Sequence, residues 1–393
     1  MIRRNARFAS GAELLKHNGP KLSIVLPHCC DYKRLWHTLA GLHKDRLRLD
    51  VVKDVELLVC DNSRTVPDKA KGQRHSEEAE KRVKELPNAR FVSFIRVAGT
   101  APTKDEGIRQ ATGLFAICLD PHCEFPAGML ERILDWITAH PLDDDLHFAM
   151  ELHLRMVEPD GKPAACCTHR VARFGGDGNF AVCRVDPQAL APGAAPFETE
   201  TAGCAFFLVR RASWLGFHPL SEGWGGEESY LPEKYRQAGR RVWVHPDWQY
   251  VHQYHDIDGV AYSGRDWITK ARVILRGFKE LSYPPLAEIK ANFVQPRRMT
   301  EQQWQGLLQE LQICETSPAA VPGLEEGELP LLEGLPCPHR GRQSGKILCN
   351  VGCPSMRSQQ VTTFDCRRHG LVILGKRRSD LVNCLNCSFR LDD

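Results

Sequence analysis

Four short apolar runs, most of them closing on a polar residue, constrain this chain more than anything else in it. They are LSIVLP from Leu22 to Pro27, VELLVCD from Val55 to Asp61, FVSFIRV from Phe91 to Val97 and LFAICLD from Leu114 to Asp120. Runs of this length without polar alternation read as strands buried on both faces, the signature of a parallel sheet. Helix-length stretches separate them: Asp31 to Leu49, a charged segment through Lys81 to Leu86, and Thr103 to Ala111. Such alternation predicts an α/β sheet with crossover helices. After Asp120 a helix is expected near Pro126, with Met129, Leu130, Ile133, Leu134 and Ile137 on one apolar face. Further strands are expected at Leu146 to Val157, Ala202 to Arg210 and Arg241 to Val244. A helix from Glu227 to Ala238, closed by Gly239, completes a mixed second half.

Ligands in open α/β sheets sit beyond the carboxyl ends of the strands, so His28, Asp61 and Asp120, which close their runs, are the first candidates for chemistry. A formal charge of +3 provides no strong field, and nucleic acid is not an expected partner. No apolar run reaches the roughly 18 residues of a membrane span, and MIRRNARFAS lacks the apolar centre of a secretory signal, so a cytoplasmic chain without a membrane span is expected. A length of 393 residues calls for one sizeable domain plus something smaller. Ten of the 16 cysteines lie singly or in adjacent pairs in the large domain and read as buried free thiols. The other six, Cys337, Cys349, Cys353, Cys366, Cys384 and Cys387, crowd the tail. The expected division is an extension over 1–20, the main domain over 21–285, a helical segment and Pro-, Gly- and Glu-rich linker over 286–335, and a Cys-rich metal-binding module over 336–393.

In LDPHCEF, Asp120 and His122 stand two residues apart, and in an extended segment both point to one side. A carboxylate oxygen and an imidazole nitrogen together suit Mn2+ or a similar ion, with a nucleotide diphosphate on the open positions. A capping Asp and a locally bonded His are the plainer alternative. In EGWGGEESY, Trp224 offers a flat face to a sugar ring, Gly225 and Gly226 allow close backbone approach, and Glu227 and Glu228 offer acceptors or a base. Acidic residues complementing a helix N-terminus would look the same. VHQYH adds His252 and His255.

These strings resemble GT-A glycosyltransferases of the family 2 type from about Leu22 to His255. The second half looks specifically like polypeptide N-acetylgalactosaminyltransferases and their β-1,4-galactosyltransferase relatives. LSIVLPHCCDYKRLWHTLAGL resembles the nucleotide-binding first strand and helix, and VELLVCDNS the strand ending in a uridine-contacting Asp. LFAICLDPHCEF resembles the metal strand, and GCAFFLVRRASWLGFHPLSEGWGGEESYLPEKYRQAG the acceptor half, in which WGGE opens a helix over the active site. The resemblance implies a nucleotide-diphospho-sugar transferase fold, a Rossmann-like mixed sheet flanked by helices. It implies Pro27, His28 and Asp61 for the nucleotide, with Arg109 near the diphosphate, and Asp120, His122 and His252 for Mn2+, His252 being favoured over His255. Trp224, Gly225 and Gly226 fall to the sugar, with Glu227 and Glu228 as catalytic carboxylates.

Glu228 stands where the inverting galactosyltransferases have a catalytic Asp and the retaining enzymes have Asn, which favours inversion. The metal motif has His where family 2 more often has a second Asp, so the donor sugar is left open. The implied activity is transfer of a sugar, from UDP by resemblance, to a glycan, lipid-linked or protein acceptor. The alternative is an inactive domain that holds a nucleotide sugar or glycan, and donor hydrolysis separates the two. A nucleotidyltransferase is disfavoured for want of a glycine-rich phosphate loop.

In the tail, the closing CLNC of Cys384 and Cys387 with Cys349 and Cys353 could form a four-thiolate zinc site, and Cys337, Cys366, His339 and His369 another. An iron–sulfur cluster or disulfides are the other options.

Overall fold

The computed structural model describes residues 17–96, 98–157, 163–176, 178–252 and 266–314, and the backbone of four short strands between 340 and 375. The chain divides into two units, 1–313 and 314–393. The first half runs β1 (Leu22–His28), α1 (Tyr32–Arg48), β2 (Val55–Asp61), α2 (Lys69–Lys84), β3 (Ala89–Ser93), α3 (Thr100–Gln110) and β4 (Phe115–Leu119). Strands β4, β1, β2 and β3 lie side by side and parallel. Every residue of β1, β2 and β4 is buried, as strands covered on both faces require. Ile24, Leu26, Leu57, Val59, Ile117 and Leu119 pack toward α1 and α2, and Val25, Leu58, Ala116 and Cys118 toward α3.

Helix α1 buries Leu35, Thr38, Leu39, Leu42 and Arg46, a stripe at helical spacing. Arg46 belongs in that stripe because its guanidinium donates to the carbonyls of Val55, Pro87 and Asn88 at 2.9, 3.0 and 3.2 Å. Helix α2 begins a full three turns before the charged segment read from the sequence. Its inward face is Gly72, Ser76, Ala79 and Val83, too small and too polar to show as an apolar stripe. Strand β3 stops at Ser93, not at Val97, because its partner β2 ends at Asp61 and offers nothing further to pair with.

The second half adds β5 (Cys123–Glu124), α4 (Met129–Ala139), β6 (Leu146–Val157), β7 (Pro163–Cys167), β8 (His169–Val171), β9 (Val182–Arg184), β10 (Phe197–Glu198), β11 (Phe206–Arg210), α5 (Glu227–Gln237) and β12 (Val242–His252). Strand order across the sheet is β10-β12-β6-β11-β4-β1-β2-β3. Strand β11 is antiparallel to both β4 and β6, whereas β12 is parallel to β6, so the sheet is mixed as expected. Strand β12 runs well past the expected Val244, continuing through an irregularity between His245 and Gln249 that absorbs Pro246. That continuation delivers His252 to the site.

Helices α6 (Trp267–Leu281), α7 (Leu286–Phe293) and α8 (Glu301–Leu311) pack around Ala271, Ile274, Leu275, Ile289, Phe293, Trp304, Leu307 and Leu308. Thr300 and Gln303 close a reciprocal capping box at the start of α8. In the second unit, β13 (Arg340–Gln343), β14 (Lys346–Ile347), β15 (Val361–Cys366) and β16 (Gly370–Gly375) form an antiparallel sheet in the order β14-β13-β15-β16. Among the described residues no helix is long and apolar enough to cross a membrane.

Candidate active site

The carboxyl ends of the parallel strands carry the first group. His28 and Asp61 are opposite one another in the β1–β2 register, both fully buried, with Nδ1 to Oδ1 at 2.7 Å. The backbone N–H of Asp31 donates to His28 Nε2 at 3.1 Å, so the imidazole carries its hydrogen on Nδ1 and donates it to Asp61. Ser63 donates to the same carboxylate oxygen from its hydroxyl at 2.6 Å and its backbone at 3.2 Å. Burial pushes the Asp61 carboxyl up, but the hydrogen bonds from His28 and Ser63 outweigh it and hold the group below the ordinary range. Asp61 Oδ2 is buried with no hydrogen-bond partner, an acceptor suited to a donor group of a base. Pro27 lies inside β1 opposite Cys60.

The second group gathers at the end of β4. The hydroxyl of Thr38 on α1 lies 2.9 Å from the carbonyl oxygens of both Pro121 and Cys123 and pins the loop after Asp120. Cys123 on β5 pairs with His252 on β12, which sets His122 beside His252. One ligand atom each from Asp120, His122 and His252 lies within 4.8 Å of the others. His252 Nδ1 bonds Glu151 Oε1 at 2.5 Å, and Arg170 donates to Glu151 Oε2 at 2.7 Å. A carboxylate behind the imidazole fixes its tautomer and leaves Nε2 as a lone pair toward the centre, the outer support that metal-binding histidines require. The residues therefore fit a divalent cation. Lys104, fully buried on α3, donates to the Cys204 carbonyl at 2.8 Å and lies 3.3 Å from Asp120 Oδ1. Burial opposes its charge, yet Asp120 and then Glu227 among its neighbours hold the ammonium well above the ordinary lysine range.

The third group is the glycine-rich string before α5. The N–H of Gly223 donates to Ala98 at 2.8 Å and its carbonyl accepts from Thr100 at 2.9 Å, so the loop is stitched to the start of α3. Gly225 and Gly226 have φ of 100° and 89°, which favours glycine. Trp224 is half-buried, with the Lys270 ammonium 3.8 Å from its ring centroid. Glu227 and Glu228 open α5. Pro232 has no N–H to offer the Glu228 carbonyl one turn back, and the Thr201 hydroxyl takes that carbonyl instead. The Glu228 side chain has an unpartnered buried Oε2. Burial, then the charge of Glu227, push its carboxyl up to about 7 against the opposing pull of Arg170 and Lys270.

Asp120, His122 and His252 are thus brought together, as are His28 and Asp61, and Trp224 to Glu228 form one continuous element. Arg109 is not brought to either group. It sits exposed on the last turn of α3, paired with Asp105 at 2.7 Å, at the opposite end of the helix from Thr100. The buried cation beside Asp120 is Lys104, which shares its helical face with Gly107 and Ile108; that i, i+3, i+4 spacing was a legible signal. Glu151, Arg170 and Lys270 were also missed, and none of them has a local motif. His255 lies outside the described residues, as do Cys337, Cys349, Cys353, Cys384, Cys387, His339 and His369; Cys366 ends β15.

Residues 23–148 match the model of glycosyl transferase family 2. This stretch, from β1 into β6, is therefore a family 2 glycosyltransferase domain of GT-A-like, mixed α/β architecture, and it contains Asp61, Asp120 and His122 but not Glu151, Glu228 or His252. Among solved structures, GalNAc-T7 with UDP, GalNAc and Mn2+ is similar, at 15% identity and a TM-score of 0.48 over 75% of this chain and 57% of that one. S. aureus TarS 1-349 in complex with UDP-GlcNAc is similar at 14% identity and a TM-score of 0.45, over 74% and 80% respectively. The chain spans little more than half the length of the GalNAc-T7 chain. No curated protein matches it in sequence.

Proposed function

We propose that this chain, an enzyme by its family 2 glycosyltransferase domain, moves a sugar from a nucleotide-sugar donor to a hydroxyl of a glycan, lipid-linked or protein acceptor with the help of a divalent cation. UDP is the nucleotide, on the resemblance of its metal and acceptor strings. The observation that carries the reading is the convergence of Asp120, His122 and His252 within 4.8 Å, with Glu151 bonded behind His252. A Mn2+ ion held there would supply Lewis acidity to the leaving diphosphate.

The protein's own groups do the rest. Asp61, fixed by His28 and Ser63, presents Oδ2 to the nucleobase. Lys104 sets a buried positive charge beside Asp120, where negative charge grows on the leaving group. Trp224 offers the sugar an apolar face, held in place by Lys270. Glu228 takes the proton of the attacking hydroxyl: a carboxylate poised at about 7 is a stronger base than an ordinary one and still partly ionised at neutral pH. Glu227, buried at 5% exposure, shapes that basicity and would accept from a sugar hydroxyl. A base on the acceptor side makes the reaction inverting.

The test is release of UDP from a panel of UDP-sugars by the purified chain, with Mn2+ and with chelator. Metal-dependent release from one donor, abolished by Asp120→Ala, supports the reading. Donor and metal binding without release from any donor would replace it with a nucleotide-sugar-binding protein. The tail cysteines extend the proposal to a structural zinc site, which metal analysis of the purified chain would test.

A further inference from the structure

A second cluster shares Glu151 with the metal-ligand group and brings two thiols that have no part in the proposed reaction. The Sγ atoms of Cys167 and Cys183 and a carboxylate oxygen of Glu151 all lie within 4.8 Å of one another. Strand pairing places them: Cys167 ends β7 opposite Glu151 on β6, and Cys183 at the middle of β9 is opposite Arg170 on β8. A shallow cleft lined by Glu151, Cys167, Arg170 and Tyr250 adjoins them.

Two thiols and a carboxylate are a donor set for a soft divalent ion such as zinc. Here both Glu151 oxygens are already engaged, by His252 and Arg170, and a fixed guanidinium charge inside the cluster opposes a second cation. The hydrogen bond with Cys183, then burial, push the Cys167 thiol up against the pull of Arg170, so Cys167 holds its proton and Cys183 is the attacking sulfur. Cys167 is buried, with its S–H 3.2 Å from the His169 carbonyl, whereas Cys183 is half-buried and reachable.

We propose that Cys167 and Cys183 are a redox-modifiable thiol pair that closes to a disulfide by exchange with a small-molecule disulfide such as oxidised glutathione. The Cys183 thiolate attacks one sulfur of the oxidant and expels one thiolate. The Cys167 sulfur, losing its proton to solvent, then attacks Cys183 Sγ and expels the second. Two protein thiols are oxidised to one disulfide while one small disulfide is reduced to two thiols. Closure draws the two sulfurs from within 4.8 Å to a bond of about 2 Å, and moves the β8–β9 hairpin that carries Arg170, the partner of Glu151. Glu151 orients His252, so the oxidised protein holds the catalytic cation more weakly, by about tenfold, the lower edge of what an outer-partner loss costs. The bond itself is independent of the glycosyltransferase reading; its effect on the cation rests on that reading.

The experiment treats the full chain with oxidised glutathione, alkylates remaining thiols and maps tryptic peptides without reduction. Cleavage after Arg170 and Arg173 separates the two cysteines, and the expected product joins them. It should vanish in Cys167→Ser and Cys183→Ser, persist in Cys166→Ser and reverse with a dithiol. Mn2+ binding, read by the resonance of the free ion, should weaken about tenfold on oxidation of the wild type and stay unchanged in Cys183→Ser. Both thiols recovered alkylated, or joined only to other cysteines, would overturn the proposal. So would a zinc ion that copurifies, protects both thiols from alkylation and is lost in Cys183→Ser. A bond that forms with unchanged Mn2+ binding overturns the control of the cation. Failure of sugar transfer in both redox states would count against the reaction and leave the peptide readout intact.

Discussion

The Nε2 atoms of His122 and His252 face each other at 2.9 Å, their rings stacked 4.9 Å apart and 14° from parallel. His252 spends its Nδ1 hydrogen on Glu151, so one hydrogen, on His122, separates two nitrogens that both have lone pairs to give. A divalent ion held by this group would take both as ligands, with the His122 hydrogen shifted to its Nδ1. Asp120→Ala and His122→Ala should each abolish metal-dependent release of UDP. Glu151→Ala keeps every ligand but frees His252 to rotate, and should weaken Mn2+ by about 10- to 100-fold, read as the Mn2+ concentration giving half-maximal rate. Undiminished Mn2+ dependence in all three would sink the assignment.

Glu228 gives the reaction a pH dependence of definite sign. Glu227, Arg170 and Lys270 act on its carboxyl, and Cys204 lies within its reach. The base must be ionised, so kcat should rise as pH rises through about 7 and fall away below it. Glu228→Gln should remove that limb and cost roughly 10²- to 10⁴-fold in kcat with donor binding nearly intact. Glu227→Gln removes the second-largest cause of the upward shift, so the limb should move to lower pH. A limb in the same place in the Glu227→Gln variant would show that the two carboxylates do not interact.

Lys104 and Arg109 lie five residues apart on α3 with opposite expectations. Lys104→Met removes a buried ammonium 3.3 Å from Asp120 and should lower kcat by about 10²-fold or more, the size of losing one preformed charge contact. Arg109→Ala breaks an exposed i, i+4 pair with Asp105, worth about 0.3–0.5 kcal/mol, and should leave kcat unchanged. Steady-state rates at saturating donor decide between them. A large loss in Arg109→Ala with none in Lys104→Met would reverse the assignment of the diphosphate-side cation.

Strands β1, β2, β4 and β6 were legible because burial on both faces leaves an uninterrupted apolar run, or in β6 a long alternating one, and their polar ends mark the ligand side of the sheet. Asp61, Asp120 and His122 could be found that way. Helix α2 was hidden because its buried face is Gly72, Ser76, Ala79 and Val83. Glu151 and Arg170 were hidden for a different reason. Their role exists only through partners on other strands, Glu151 with His252 101 residues on and Arg170 with Glu151 19 residues back, and no local pattern records such a pairing. Pro246 concealed the continuation of β12, since an irregularity in the ladder is where a strand tolerates proline.

Gly99 shows how closely the two halves of the site are joined. It has a φ of 151°, its N–H donates to Asn62 Oδ1 at 3.1 Å, and its carbonyl accepts from the Thr103 hydroxyl at 2.6 Å. A β-carbon added there would stand 2.6 Å from the backbone nitrogen of Gly223, which cannot rotate away as a side chain could. Gly99→Ala must therefore push the Trp224 to Glu228 string off the start of α3, besides straining its own backbone by about 1–3 kcal/mol. The melting temperature should fall. At a temperature where the variant is still folded, kcat/KM should drop by about 10²-fold, because a displacement near 1 Å at the acceptor-side carboxylate spoils the in-line geometry. A folded Gly99→Ala variant with wild-type kcat/KM would mean that this junction does not set the position of Glu228, and the base would have to be sought elsewhere.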